Sequence, residues 1–302
     1  MADEQHWIDL CDPDEATLRR VLPAGIHDTA MAHILAGPEE EPRPRLVAQG
    51  DYIFGVLAFP SVRSSGEVVF QEVDLIANLD VLVTVRKTPP DHVACELDSA
   101  RDAALRNGSS PGLCLHVVVD EIAERFLTMV DGFDDSIDEL EDHVREWPST
   151  EIRSHISSIR HDILHVRRVL APTRDAARAV LDDRVEIDGE VSLFPRDIEL
   201  HFADAYDKLL RATDGLDLSR DLLAGVRDFH QAEVANDQNE VMKRLTVVAS
   251  VLLLPTFIVG MYGQNFKHIP ELGWAQGYGF SWALIVVTTA LQLWYFRRKR
   301  WI

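Results

Sequence analysis

The sequence predicts an α/β or α+β domain, then long helices, then two C-terminal helices that span a membrane. Three observations carry this. Strand and helix patterns alternate over residues 1–115, the middle of the chain is helical and acidic, and two uncharged apolar runs with basic flanks close it.

At 302 residues and 34.0 kDa the chain has room for about two ordinary domains and a genuine core. Its net charge of −20 and pI near 4.9 argue against nucleic acid, whose phosphates call for clustered Lys and Arg, and favour cations as partners. Cys11, Cys95 and Cys114 are odd in number, far apart and unpaired in pattern, which fits a reducing cytoplasm better than a disulfide framework or thiolate zinc site. Met1 to Asp9 has neither the basic start nor the apolar run of a secretory signal, so the N-terminus is expected to stay inside. The charge is unevenly spread: beyond residue 240 the chain nets +6, leaving −26 upstream.

Trp7-Ile8-Asp9-Leu10 reads as a strand, and Asp12-Pro13-Asp14-Glu15 as a capping box opening a short helix to about Leu22. A second helical stretch covers Asp28 to Leu35. Gly37 to Pro42 is a loop, and the β-branched and aromatic residues from Arg45 to Pro60 predict strands. Ser64-Ser65-Gly66 reads as a hairpin tip, with further strands at Val68 to Phe70 and Leu79 to Val85, before Pro89-Pro90. The domain holds no glycine-rich phosphate loop.

From His116 to Trp147 apolar residues such as Ile122, Phe126, Val130, Phe133 and Ile137 recur at three- and four-residue steps. Trp147-Pro148-Ser149 turns the chain and Glu151 to about Leu181 returns, so residues 116–194 form an acidic helical hairpin. A third helix starts at Pro195 with Ile198, Phe202, Leu209 and Leu216 as its stripe, and meets no strong breaker before the first apolar run. Residues 195–262 are therefore a stalk helix continuing into the first span. Helical throughout, it would be roughly 100 Å long, which a single copy could not support, so self-association is expected.

Leu245 to Phe266 carries no ionisable acid or base and is the first span; Phe280 to Phe296, with Trp282, Trp294 and Tyr295 near its ends, is the second. Two buried helices of a large soluble core are the alternative, disfavoured by the spanning length and charged flanks. Lys243 and Arg244 before the first span, and Arg297, Arg298, Lys299 and Arg300 after the second, orient both ends towards the cytoplasm. Residues 263–279 are then an extracytoplasmic loop, and 280–302 the second helix with a basic tail.

In the first span Met242, Thr246, Ala249, Leu253, Thr256 and Gly260 share one comparatively small and polar helix face. Hydroxyls lining a watery path and small residues allowing close helix packing explain it equally well on spacing alone. Pro255 removes one backbone hydrogen bond, which water or a neighbouring helix would replace. Gly263-Gln264-Asn265 puts amides at the end of the span, where they must face protein or water. His161 and His165 stand four apart as in zinc peptidases, but Asp162 replaces the general-base Glu, and a solvated helix face accounts for them. The acids Asp131, Asp134, Asp135, Asp138, Glu139, Glu141 and Asp142 lack the EF-hand order; multiplied in an oligomer they would concentrate divalent ions.

Asn239-Glu240-Val241-Met242-Lys243-Arg244-Leu245-Thr246, Pro255-Thr256-Phe257-Ile258 and Gly260-Met261-Tyr262-Gly263-Gln264-Asn265-Phe266 together resemble the CorA family of divalent-cation channels. Ile269-Pro270-Glu271-Leu272 is similar to its extracytoplasmic loop, and Tyr295 to Ile302 to its aromatic and basic tail; a weaker match runs through Phe202 to Asp207. The family signature is Gly-Met-Asn, and Gln264 departs from it in the middle position.

The resemblance implies a funnel-shaped homopentamer in the plasma membrane, with both termini cytoplasmic. It would conduct divalent cations passively, Mg²⁺ foremost and Co²⁺ or Ni²⁺ as further cargo, with no enzymatic activity and no bound cofactor. Gly263, Gln264 and Asn265 then lie at the pore entrance; Asn239, Met242, Leu245, Leu253 and Thr256 line the pore, and Asp228 lies lower in the funnel. Asp204 matches one partner of the family's intracellular Mg²⁺-sensing pairs, but the other would fall near Val62, where there is no acid. Glu271 belongs to the loop, and Arg297 to Arg300 form a basic ring at the inner mouth. A zinc transporter like ZntB and a non-conducting membrane-anchored scaffold or sensor are the alternatives. The Pro-Glu-Leu loop favours CorA over the former.

Overall fold

The computed structural model describes residues 6–39, 41–63, 66–89, 95–107, 110–265 and 269–302, in two compact units, Met1–Val226 and Arg227–Ile302. The first unit is built on a five-stranded sheet in the order β1-β5-β4-β3-β2. Its strands are β1 (Trp7–Cys11), β2 (Arg45–Gln49), β3 (Tyr52–Val62), β4 (Val68–Ala77) and β5 (Leu82–Arg86). β1 runs parallel to β5 with Trp7 opposite Leu82, and the remaining neighbours are antiparallel.

Alternation along β3 sends its side chains to two cores. Tyr52, Phe54 and Val56 pack under α1 (Glu15–Val21) and α2 (Asp28–Leu35), with Leu18, Ala30 and Ile34. Ile53, Leu57 and Phe59 pack on the opposite side with residues of α3 (Asp98–Asn107), α4 (Pro111–Asp142) and α5 (Ser149–Leu181). That larger core continues into the first part of α6 (Arg196–Tyr262) through Phe202, Leu209, Ala212 and Leu216. Burying side chains such as Phe59, Phe126 and Phe202 contributes roughly 1.5–3 kcal/mol each.

Polar links fix the helices in register. Lys208 on α6 donates to both carboxylate oxygens of Asp120 on α4 at 2.8 and 3.0 Å, the Ser219 hydroxyl donates to Asp134 at 2.6 Å, and Arg167 on α5 reaches Asp217 at 2.8 Å. Gly112 lets the start of α4 sit against the chain before α6: a Cβ there would lie 2.1 Å from the Leu193 carbonyl oxygen.

Several boundaries differ from the sequence reading. The first helix is capped by Asp14, which accepts from the Thr17 amide at 2.9 Å. Asp12 instead takes a left-handed conformation (φ 45°) and accepts from the Thr88 amide at 3.0 Å, so its carboxylate is committed to the sheet edge. The strand expected at Val68 to Phe70 runs on as β4 to Ala77, because the acids Glu72 and Asp74 are buried within it, and the one expected at Leu79 to Val85 is β5, starting at Leu82. α3 was not foreseen, and α4 begins five residues before His116 and ends at Asp142. Gly66 of the expected hairpin tip takes φ +86°, while Ser64 and Ser65 lie outside the described residues, as does Pro90.

Candidate functional site

The second unit holds the end of α6 and α7 (Gly277–Arg298), joined through a short 3₁₀ turn at Pro270–Gly273. Both helices are long and apolar enough to cross a membrane, and only 11% and 6% of their most apolar stretches are buried. Core helices of a soluble protein would be covered by their own chain; these need lipid or other copies around them.

What little is covered forms one stripe on each helix. Along the apolar stretch of α6 it includes Val247, Ser250, Val251, Leu254, Pro255 and Ile258; on α7 it includes Leu284, Ile285, Thr288, Thr289, Gln292 and Phe296. The Gln292 amide donates to the Ser250 carbonyl at 3.3 Å across them. At 100° per residue the predicted stripe of α6 falls on nearly the opposite side. Its members are bare: Met242 is 58% exposed and Leu253 71%, with Thr246, Ala249, Thr256 and Gly260 also exposed, and Asn239 before it is exposed too. Leu245, 59% exposed, flanks it. The hydroxyls of Thr246 and Thr256 donate back to the Met242 and Leu252 carbonyls at 2.8 and 2.7 Å.

α6 ends at Tyr262, and Gly263, Gln264 and Asn265 follow as an exposed turn in which the Gly263 amide donates to the Val259 carbonyl at 2.9 Å. Phe266, the last residue of the motif, lies outside the described residues, as does the side chain of Glu271. From Asn239 to Asn265 the candidate positions spread over ~39 Å of helix rise, enough to cross a bilayer core but not to gather into one pocket within a single copy. Asp204 is exposed on α6, and the exposed Asp228 pairs with Arg227 at 3.0 Å. Arg297 and Arg298 occupy the last turn of α7, where cations suit the helix dipole, and Lys299 caps it. Arg300 follows, exposed, at φ 56°, and the Arg298 guanidinium lies 5.6 Å from the Trp294 ring centre.

Of the other sequence candidates, His165 and Asp134 are partly buried and His161 is exposed. His165 sets its ring edge-on to Phe70 at 4.9 Å and lies 3.6 Å from Glu41, while the His161 ring is 6.2 Å away. Asp134 is tied to Ser219, and the rest of the acidic run on α4 faces solvent.

Among the described residues, the group of three suitable donors that could hold a metal is one the sequence reading missed: His33, Glu72 and Asp74. Lys87 already sits among them, its ammonium 2.6 Å from Glu72, 2.8 Å from Asp74 and donating to the His33 carbonyl at 2.8 Å. The Glu39 amide donates to the other Glu72 oxygen at 2.8 Å. Burial pushes Asp74 up to about 7 against the pull of Lys87, and lowers the pKa of His33 with help from Lys87. This is a buried ion-pair network holding α2 to the sheet. Its signal was Glu72-Val73-Asp74, two acids two apart inside an apolar strand run, which places both on one face.

The profile of the CorA-like Mg²⁺ transporter protein family matches residues 3–298. The chain belongs to the CorA family. The cobalt/magnesium transport protein CorA of Thermotoga maritima is 27% identical over 284 residues, covering 92% of this chain and 77% of that protein. Among solved structures, the complete CorA magnesium transporter of Methanocaldococcus jannaschii superposes with a TM-score of 0.78 at 21% identity, covering 98% of this chain and 91% of its own. The ZntB cytoplasmic domain of Vibrio parahaemolyticus shares the fold more loosely, with a TM-score of 0.60 at 13% identity over 76% of this chain and 88% of that one. As a CorA-family member the chain is a membrane transporter of divalent cations and not an enzyme. Its architecture, a soluble α/β domain with long helices and two C-terminal candidate membrane helices, is the CorA fold.

Proposed function

We propose that five copies assemble into a funnel-shaped channel in the plasma membrane, that α6 lines the ion path, and that Mg²⁺ is its principal cargo. The observation that carries this reading is the bare stripe from Met242 to Gly260, lying opposite the face that α7 covers. A helix with one side occupied by its own partner and a small, hydroxyl-bearing side left open is suited to a ring of copies around water.

In this reading α7 forms the outer ring, the residue 263–279 loop is extracytoplasmic and both termini are cytoplasmic. Gly263, Gln264 and Asn265 meet the ion through its hydration shell, which Mg²⁺ gives up reluctantly. Their amide oxygens accept from the shell's water. Met242 and Leu245, large, apolar and near the basic flank, form a constriction that closes by dewetting, with Asn239 below it. Conduction is passive: an inward-negative potential supplies about 4.6 kcal/mol per divalent ion per 100 mV, twice the single-charge figure. Arg297, Arg298, Lys299 and Arg300 ring the inner mouth, and Asp204 and Asp228 on the stalk offset them and respond to internal Mg²⁺, while Glu271 draws cations to the outer mouth.

The test is Mg²⁺ influx into proteoliposomes under an imposed potential, with Co²⁺, Ni²⁺ and Zn²⁺ as competitors. Asn265→Ala is expected to abolish influx while the assembly elutes unchanged. Normal transport by that variant would refute the path assignment, and preferential Zn²⁺ flux would favour a ZntB-like activity.

A further inference from the structure

Polar side chains in a membrane helix are costly unless partnered, so each calls for a reason. Gln292 interrupts the apolar run of α7 five residues before Arg297, and Ser250 lies six residues after Arg244 on α6. The two basic residues mark the same boundary, so the Gln292 amide and the Ser250 carbonyl meet at matching depth, roughly 7–9 Å inside it at 1.5 Å per residue. The hydrogen bond between them measures 3.3 Å.

Its position on α6 is where the helix is least able to hold itself. Pro255 has no amide hydrogen, so the Val251 carbonyl, next after Ser250, loses its intrahelical donor, and the chain can bend or turn there at little cost. The α7 side of the contact carries more polarity than packing asks for. Gln292 Oε1 and the hydroxyl oxygen of Thr289, one turn away on the same face, are buried without a hydrogen-bond partner among the described residues. Thr288, by contrast, turns its hydroxyl back to the Leu284 carbonyl at 2.7 Å. An apolar side chain would fill the place of Gln292 without desolvating an amide, so the amide's distinct contribution is directional.

We infer that Gln292 is a positioning residue for transport: its carboxamide holds the Ser250 carbonyl of α6 just before the proline and so sets which face of α6 is presented to the ion path. This rests on the reading that α6 lines that path. Leu253 and Leu252 are neighbours 100° apart on the helix, 71% and 64% exposed, and a turn of α6 exchanges their surroundings.

The test uses the full-length protein in liposomes with Cys11→Ser, which removes the exposed thiol; Cys95 is half-buried and Cys114 buried, and burial pushes their thiols up to about 12 and about 11, which slows their reaction. Leu253→Cys and Leu252→Cys are each reacted with a water-soluble, membrane-impermeant methanethiosulfonate, and the ratio of the two rates is compared with and without Gln292→Leu. The ratio is independent of how much protein assembles. The Leu253 position is expected to react faster in the parent, and the ratio to fall about threefold in the variant, the size set by one hydrogen bond within a membrane. Gln292→Met, matched in length but unable to donate, gives the same fall and serves where the leucine variant assembles poorly. A clear parent contrast left unchanged by both variants overturns the inference alone. A parent without contrast overturns the path reading along with it.

Discussion

Replacing Lys87 with methionine tests the buried network on β4 and β5 most directly. Lys87 is 3% exposed, and Glu72 and Asp74 are 1% and 0% exposed, so the substitution leaves two carboxylates out of water with no cation between them. Methionine nearly preserves the length of the side chain, so the loss is electrostatic and not a cavity. Breaking a buried ion pair from one side costs roughly 3–5 kcal/mol, which corresponds to a fall of about 10 °C in the unfolding midpoint of a domain this size.

The deficit should depend on pH. Folding raises the pKa of Asp74 from its ordinary 3.8 to about 7. The folded state thus holds this proton more tightly, and the resulting stabilisation is full below about pH 4 and lost as pH rises through about 7. Lys87 is the main influence holding that pKa down, so in Lys87→Met the window of loss moves upward and the deficit is larger at about pH 8 than at about pH 5. His33 works the other way: its pKa is lowered, so its contribution is present above about 6.5 and declines as pH falls. Thermal unfolding of the full-length protein in detergent, followed through the soluble unit at both pH values, measures this. A midpoint within about 2 °C of the parent at about pH 8, or an equal deficit at both pH values, would refute the reasoning.

Two further outcomes are expected. Leu245→Ser should raise Mg²⁺ flux severalfold at high internal Mg²⁺, because a hydroxyl keeps water where a bare apolar ring would shed it; unchanged closure, read by an internal indicator in liposomes, would remove Leu245 from the constriction. Gly112→Ala should destabilise the soluble unit by roughly 1–3 kcal/mol, since its Cβ would meet the Leu193 carbonyl oxygen at 2.1 Å; an unshifted unfolding midpoint would show that the α6 approach gives way freely.

How much the sequence revealed followed from how strongly each element was patterned. The runs ending at Tyr262 and Phe296 were legible because uncharged apolar stretches of that length have few other uses, and the three- and four-residue steps of Phe126, Val130, Phe133 and Ile137 marked a face that is indeed buried. α3 escaped notice because Asp98 to Asn107 is largely polar, and among its described side chains Ala100 and Ala104 are the buried ones. The continuity of β4 was hidden by Glu72 and Asp74, which look like breakers until Lys87 and His33 are seen beside them. The small stripe on α6 could be counted in the sequence, but spacing does not say which side α7 takes. Gln292 went unremarked because one amide barely dents the hydropathy of its surroundings.

The back-bonded threonines on that stripe have an electrical consequence. With the hydrogens of Thr246 and Thr256 turned inward to Met242 and Leu252, each oxygen can offer only lone pairs outward. Arranged in rings, such oxygens would welcome the outward-pointing hydrogens of a cation's water shell and give an anion nothing to grip. Discrimination by sign would thus arise from neutral alcohols within the lipid, without any ionised group at that depth.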